Sequence, residues 1–198
     1  HARAVVRACH HCLVVCDMPF GSYQVSREDG IRNAIRIIKE TGAGAVKMEG
    51  GKEIADTVKG IVDAGIPVIG HLGLTPQSIH KFGGYGLRAK EDTEAEKLIE
   101  DALALDAAGV SGITLEKVPA ALANKVTAMV KAATIGIGAG NGTDGQVLVY
   151  ADALGMTSEF KPKFLRHFAN VNKCMTEGVM EYIRRVKSES FPSEAESY

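Results

Sequence analysis

Short apolar runs alternate with longer stretches of helical period along most of the chain. The apolar runs are Cys12–Asp17 (CLVVCD), Gly44–Glu49 (GAVKME), Ile66–His71 (IPVIGH), Gly112–Glu116 (GITLE), Ala133–Gly138 (ATIGIG) and Val147–Asp152 (VLVYAD), and each is predicted to be a strand. The intervening stretches carry helix signals. Ser26, with Asp29 in the first turn, caps a stripe of Ile31, Ile35 and Ile38 that Gly42 stops. Ile54, Val58, Ile61 and Val62 form a second stripe closed by Gly65 and Pro67, and Ala95, Leu98, Ile99, Ala102 and Leu103 form a third ended by Gly109. Pro119 opens a fourth, with Leu122, Val126 and Met129. The opening RAVVRA reads as the end of a helix, and the tail from Pro162 to Ser188 as one or two helices.

Repeated strand–helix units imply a parallel sheet, and near-continuous apolar runs suit strands buried on both faces. Two architectures meet that description, a doubly wound sheet and a (β/α)8 barrel. A barrel needs eight strands and about 250 residues. With six predicted strands in 198 residues, the barrel requires two further strand–helix units ahead of His1.

Ionisable residues close most of the runs: Asp17, Lys47 with Glu49, His71, Glu116 and Asp152. In a barrel, strand C-termini ring the mouth where the chemistry sits. Lys47 and Glu49 lie two apart on one strand and so share a face. At an exposed edge they would be an ordinary ion pair; at a barrel mouth they would join a shared site. Asp17 and Glu49 are oxygen donors suited to Mg2+, which takes one or two carboxylates and fills its shell with water and substrate oxygens. Lys47 is a cation placed to meet a substrate carboxylate or an enolate oxygen, and His71 and Glu116 are the available acid–base groups. The set suits metal-assisted proton abstraction beside a carbonyl.

Composition narrows the setting. The chain is 45% hydrophobic and 24% charged with a formal net charge of -1, an ordinary globular mix without the basic footprint of a nucleic-acid binder. No apolar run approaches the ~20 residues that span a bilayer, and no signal peptide is visible, so the expected location is the cytoplasm. Cys9, Cys12 and Cys16, with His10 and His11, crowd one segment. They read as free, small core thiols in preference to a metal knuckle, since no second Cys/His pair follows to close a tetrahedral site. Gly136–Gly140 (GIGAG) reads as close backbone packing, or passage of a flat ligand, in preference to a phosphate cradle. His80 and His167 read as surface or capping residues, and RAKEDTEAEK as a solvated helix start.

Six strings in order carry a family resemblance: DMPFGSYQ (Asp17–Gln24), VKMEGG (Val46–Gly51), GHLGLTPQS (Gly70–Ser78), FGGY (Phe82–Tyr85), the LE before Val118–Pro119, and IGIGAGNGTDGQVLV (Ile135–Val149). Together they resemble the ketopantoate hydroxymethyltransferases. The resemblance implies a Mg2+-dependent (β/α)8 barrel of the phosphoenolpyruvate/pyruvate type, spanning residues 1–198 as one domain and lacking its first two units. It implies transfer of a hydroxymethyl group from 5,10-methylenetetrahydrofolate to 3-methyl-2-oxobutanoate, the first committed step of pantothenate synthesis, by a homo-oligomer, commonly a decamer. The family pattern puts metal ligands on Asp17 and Glu49, a keto-acid contact on Lys47 alongside Asp17, the proton acceptor on Glu116, and His71 in the site. Departures are Arg7-Ala8-Cys9 where many members carry RGA, Ala151 where many carry His, and the absence of a further Asp ligand and Ser from the first two strands. Two other classes stay open: a different Mg2+-dependent C–C bond lyase or aldolase acting on an oxo acid, and a non-catalytic barrel fragment.

Overall fold

The computed structural model describes residues 1–157, 159 and 161–198. The chain divides into two compact units, His1–Val147 and Leu148–Tyr198.

The first unit runs α1 (Ala2–Ala8), β1 (Val15–Asp17), α2 (Arg27–Thr41), β2 (Ala45–Glu49), α3 (Ala55–Asp63), β3 (Val68–Gly73), α4 (Ile79–Phe82), α5 (Asp92–Ala108), β4 (Gly112–Glu116), α6 (Ala120–Met129), β5 (Ala133–Ile137) and β6 (Gly145–Gln146). The six strands form one parallel sheet in the order β1-β2-β3-β4-β5-β6. A doubly wound sheet would reverse its order at a switch point. The strictly sequential parallel order is that of part of a barrel wall and differs from a doubly wound sheet. The core lies between sheet and helices: Val46, Met48, Val68, Ile113 and Leu115 from the strands meet Val58, Ile61, Leu105 and Val126 from the helices, all fully buried or nearly so.

The helix signals behave as the local chemistry dictates. The Ser26 hydroxyl accepts the Asp29 N–H at the start of α2, and Gly42 ends that helix in the left-handed conformation at φ 76°. The buried face of α2 centres on Gly30 and Ala34, and Ile35 of the expected stripe faces solvent. Gly109 ends α5 in the same left-handed way, and Pro119 stands at the N-cap of α6.

Strand boundaries depart from expectation in three places. β1 is only Val15–Asp17, although Val14 still accepts a bond from Gly44. β3 begins two residues late, at Val68, because Pro67 has no N–H to contribute to a ladder. The sixth strand is not Val147–Asp152. It is Gly145–Gln146, extended by one bond from Val147 to Gly136, after which the chain turns into α7 (Tyr150–Ala153). Ala153 and Leu154 donate to the carbonyls of Val149 and Tyr150 four residues back, and Gly155 stops the turn at φ 62°. Asp152 is therefore a helical residue of the second unit, bonded to the Thr157 hydroxyl, and does not close a sheet strand.

The second unit is built on α7 and a single long helix, α8 (Val171–Lys187), capped by the Asn170 side chain. The thiols are free, but they are not core residues: Cys12 and Cys174 are exposed, and Cys9 and Cys16 are half-buried. The glycines of GIGAG are tied by contact. Thr143 and Gln146 crowd Gly136, and Ala120 lies against Gly140, as close packing requires.

Candidate active site

The register brings five polar side chains to the carboxyl ends of four adjacent strands. Asp17 aligns with Lys47, Glu49 with His71, and Glu116 with Gly73. Lys47 is the hub. Its Nζ stands 2.9 Å from Asp17 Oδ2, 3.2 Å from His71 Nδ1 and 3.7 Å from Glu49 Oε1. His71 lies between two carboxylates, with Nδ1 3.6 Å from Glu49 Oε1 and Nε2 3.3 Å from Glu116 Oε2. The Nε2 approach falls short of hydrogen-bond geometry, and this buried nitrogen has no other partner among the described residues. Five of the six residues expected from the strand ends thus fall into one cluster, Asp152 being the exception, and the Lys47–Glu49 pair is inside it.

Burial opposes charge on Glu49, but the His71 ring, the Gln77 N–H and the Lys47 ammonium together hold its carboxyl below the usual carboxylate range. Burial likewise opposes the His71 imidazolium, and the Glu116 and Glu49 carboxylates more than offset it, so the imidazole is raised.

Local sequence explains how the ends are held. Gly73 has φ 88°, and a Cβ there would run into the carbonyl oxygen of Glu116. This close approach lets Leu74 N–H donate to Glu116 O at 2.8 Å, which ties the end of β3 to the end of β4. After β2, Gly51 leaves room for Asp101 of α5, whose carboxylate accepts the Lys52 N–H at 2.9 Å and the Lys97 ammonium at 2.6 Å. The glycines of VKMEGG and GHLGLTPQS mark these contacts.

Three groups near the cluster were not singled out from the sequence. Tyr23 and Gln77 bond to Glu49, and both lie inside the quoted strings. Arg88 stacks on the Phe82 ring at 4.0 Å and pairs with Glu94, so the run RAKEDTEAEK is partly folded back onto the protein and not wholly solvated. A cleft of about 550 Å³ opens beside Glu49, lined among others by Phe20, Tyr23, Gln77, Phe82 and Arg88.

The donor set bears on a metal. Among the described residues no three His, Cys, Asp or Glu side chains converge as a ready cage. Asp17 and Glu49 are two carboxylates converging on one point, now bridged by Lys47. That fits Mg2+, which binds through one or two carboxylates and keeps waters and substrate oxygens in its shell, and does not fit a metal that needs a closed protein cage.

The family profile described as ketopantoate hydroxymethyltransferase matches residues 1–194. The chain belongs to the ketopantoate hydroxymethyltransferase family. A 3-methyl-2-oxobutanoate hydroxymethyltransferase of Flavobacterium johnsoniae is 57% identical over 198 residues, which cover all of this chain and 73% of the relative. The enzyme of that name from Bacteroides fragilis is 54% identical over the same span, covering 72% of its length. Among solved structures, phosphonopyruvate hydrolase superposes with a TM-score of 0.51 at 13% identity, over 98% of this chain and 70% of that one. At that identity the likeness speaks to fold alone, and it agrees with an α/β sheet of barrel order. No helix among the described residues is long and apolar enough to cross a membrane.

Proposed function

We propose that this chain carries the ketopantoate hydroxymethyltransferase reaction: 3-methyl-2-oxobutanoate, 5,10-methylenetetrahydrofolate and water give 2-dehydropantoate and tetrahydrofolate, on a (β/α)8-type barrel scaffold. The observation that carries this reading is the cluster Asp17–Lys47–Glu49–His71–Glu116 at one end of the sheet of a family member.

Asp17 and Glu49 would hold Mg2+, which when bound polarises the carboxylate and keto oxygens of the substrate as a Lewis acid. Lys47 meets the keto acid's oxygen and stabilises negative charge as it develops there. Glu116 takes the C3 proton as general base. The carbanionic C3 forms its new bond to the one-carbon unit, water supplies the hydroxyl, and both carbon–nitrogen bonds to the folate break, so that tetrahydrofolate leaves with its two nitrogens protonated by the C3 proton and the proton from water. His71, wedged between Glu49 and Glu116, orients both and limits the water that reaches them. The apolar strand GITL leads up to Glu116 and keeps its approach dry. A homo-oligomeric, cytoplasmic enzyme belongs to the same reading, and sedimentation of the purified chain tests the assembly.

The discriminating experiment follows exchange of the C3 hydrogen of 3-methyl-2-oxobutanoate into deuterated water, without folate. Glu116→Gln keeps the shape of the side chain, so substrate binding persists while exchange falls by roughly 10²-fold or more, the scale of a lost general base. Full exchange in that variant moves the base to His71. Exchange without any product on adding the folate favours another oxo-acid enzyme of the same fold.

A further inference from the structure

The ladder between β1 and β2 ends early. Its last bond runs from the Met18 N–H to the Lys47 carbonyl at 3.0 Å. Beyond it, the main chain of Glu49 has no β1 residue to pair with, yet it is buried. A buried N–H without a partner is costly. Here the partner is a side chain: Tyr23 Oη accepts the Glu49 N–H at 3.1 Å. Tyr23 is 3% exposed, and its hydroxyl donates to Gln77 Oε1 at 3.0 Å. The Gln77 side-chain amide donates in turn to the Met18 carbonyl at 2.9 Å, and the Gln77 main-chain N–H donates to Glu49 Oε2 at 2.8 Å. The bonds form a closed ring. It leaves the Glu49 main chain, passes through Tyr23 and Gln77, and returns to the Glu49 carboxylate. It ties together the loops that follow β1, β2 and β3.

We propose that Tyr23 and Gln77 are positioning residues which fix the Glu49 carboxylate with Oε2 engaged and Oε1 presented to the site. Oε1 is the oxygen that faces Lys47 and His71. The role rests on the reading of Glu49 as a metal ligand. A carboxylate free to rotate would exchange its two oxygens and blur the geometry that a divalent ion and a chelating substrate need. With Oε2 held by a main-chain N–H, the side chain offers one oxygen in one direction. Groups that hydrogen-bond to a metal ligand in this way typically change metal affinity or activity by about 10–100-fold when removed. The ring also accounts for the placement of Tyr and Gln within DMPFGSYQ and GHLGLTPQS. Neither side chain reaches the Lys47 hub, so neither is a catalytic residue.

The test uses the full chain with Mg2+ alone as the probe. In Tyr23→Phe the aromatic ring still fills its pocket, but the Glu49 N–H loses its acceptor and Gln77 Oε1 loses the hydroxyl that donates to it. Gln77→Ala removes the same ring from the other side while sparing the main-chain N–H. Calorimetric titration is expected to show the Mg2+ dissociation constant rising about 10-fold in each variant. The double variant should be no weaker than the worse single one, because the two act through one network. At saturating Mg2+ the KM for 3-methyl-2-oxobutanoate should change by less than about twofold, since Lys47 is untouched. Amide exchange at Glu49 should accelerate in Tyr23→Phe relative to that at Ile113. Wild-type Mg2+ affinity in both folded single variants overturns the proposal, and so do additive losses in the double. A wild-type chain that binds no Mg2+ while its Glu49 amide stays protected would overturn the metal reading of Glu49, and the positioning role with it, and leave the ring as a structural tie.

Discussion

Asp17 and Glu49 are the same chemistry set in two different surroundings. Glu49 ends β2, an interior strand, with its side chain 4% exposed; Asp17 ends β1, the outermost strand of the sheet, with its side chain 50% exposed. Glu49 is held by a main-chain N–H and faces both Lys47 and His71, whereas among the described residues Asp17 is held by Lys47 alone. An interior strand delivers its last residue into a site already walled by neighbours, so burial and hydrogen bonds are available on every side. The three-residue β1 pairs with β2, and across that pair Asp17 meets Lys47. Among the described residues, one carboxylate proposed for the ion is held from several sides and the other through Lys47.

The largest expected effect separates them by stability. Glu49→Ala leaves the Gln77 N–H unpaired in a dry place and removes the charge that Lys47 and His71 face. It should cost about 2–4 kcal/mol in urea unfolding. Asp17→Ala removes a half-exposed ion pair and should cost less than about 1 kcal/mol. Both should abolish Mg2+ binding and turnover. Equal stability losses would mean that the two carboxylates are not held differently. Undiminished metal affinity in both would remove them from the metal site.

The contrast also marks how far sequence reading reached. The five site residues were visible because each one interrupts or ends an apolar run. That signal survives even where the strand boundary slips, as it did by two residues at β3. Asp152 gave the same signal and was misread. VLVYAD has the hydropathy of a strand, but Tyr150–Ala153 closes local helical bonds and the carboxylate leaves the sheet. Periodicity cannot decide so short an apolar run. Tyr23 and Gln77 were not legible as a pair. They are remote in sequence, and their meeting depends on where β1 stops pairing with β2, which only the three-dimensional register reveals. The free thiols were legible as free, yet Cys12 is exposed because the strand expected to bury it begins only at Val15.

A second prediction sharpens the division by acting on the cation that both acids share. Lys47→Ala removes the one side-chain partner that Asp17 has among the described residues and one of several for Glu49. A charge-assisted bond to the substrate is worth about 1.5–3 kcal/mol. The KM for the keto acid should therefore rise by about 10- to 100-fold, at about 1.4 kcal/mol per tenfold. The KM for the folate should stay near its wild-type value, and Asp17 should become more mobile while Glu49 keeps its place. If the keto-acid KM and the turnover number are both unchanged, Lys47 is a structural partner of the two acids and no more.

The smallest effect tests the fixed side of the site without any ligand. Burial, working with the negative charges of Glu49 and Asp17 and against the hydrogen bonds from Glu49 and Gln24, pushes the Tyr23 phenol up to about 12. In the unfolded chain it would ionise near the ordinary tyrosine value of about 10. A raised folded value means that the native state keeps the proton after the unfolded state has lost it. The contribution to stability is therefore complete below about pH 10 and is lost as the pH rises from there towards about 12. One unit above the unfolded value the loss should be about 1 kcal/mol. Urea midpoints at a series of alkaline pH values would carry this slope in the wild type on top of contributions from other groups. Tyr23→Phe has no phenol to ionise, so the difference between the two proteins isolates the effect: the variant starts less stable, and the gap narrows as the pH climbs. Tyrosinate absorbance offers a second readout, in which the wild type carries a phenol titrating near about 12 that the variant lacks. A gap that stays constant across the range would mean that Tyr23 Oη is open to water and that the ring around Glu49 is not closed.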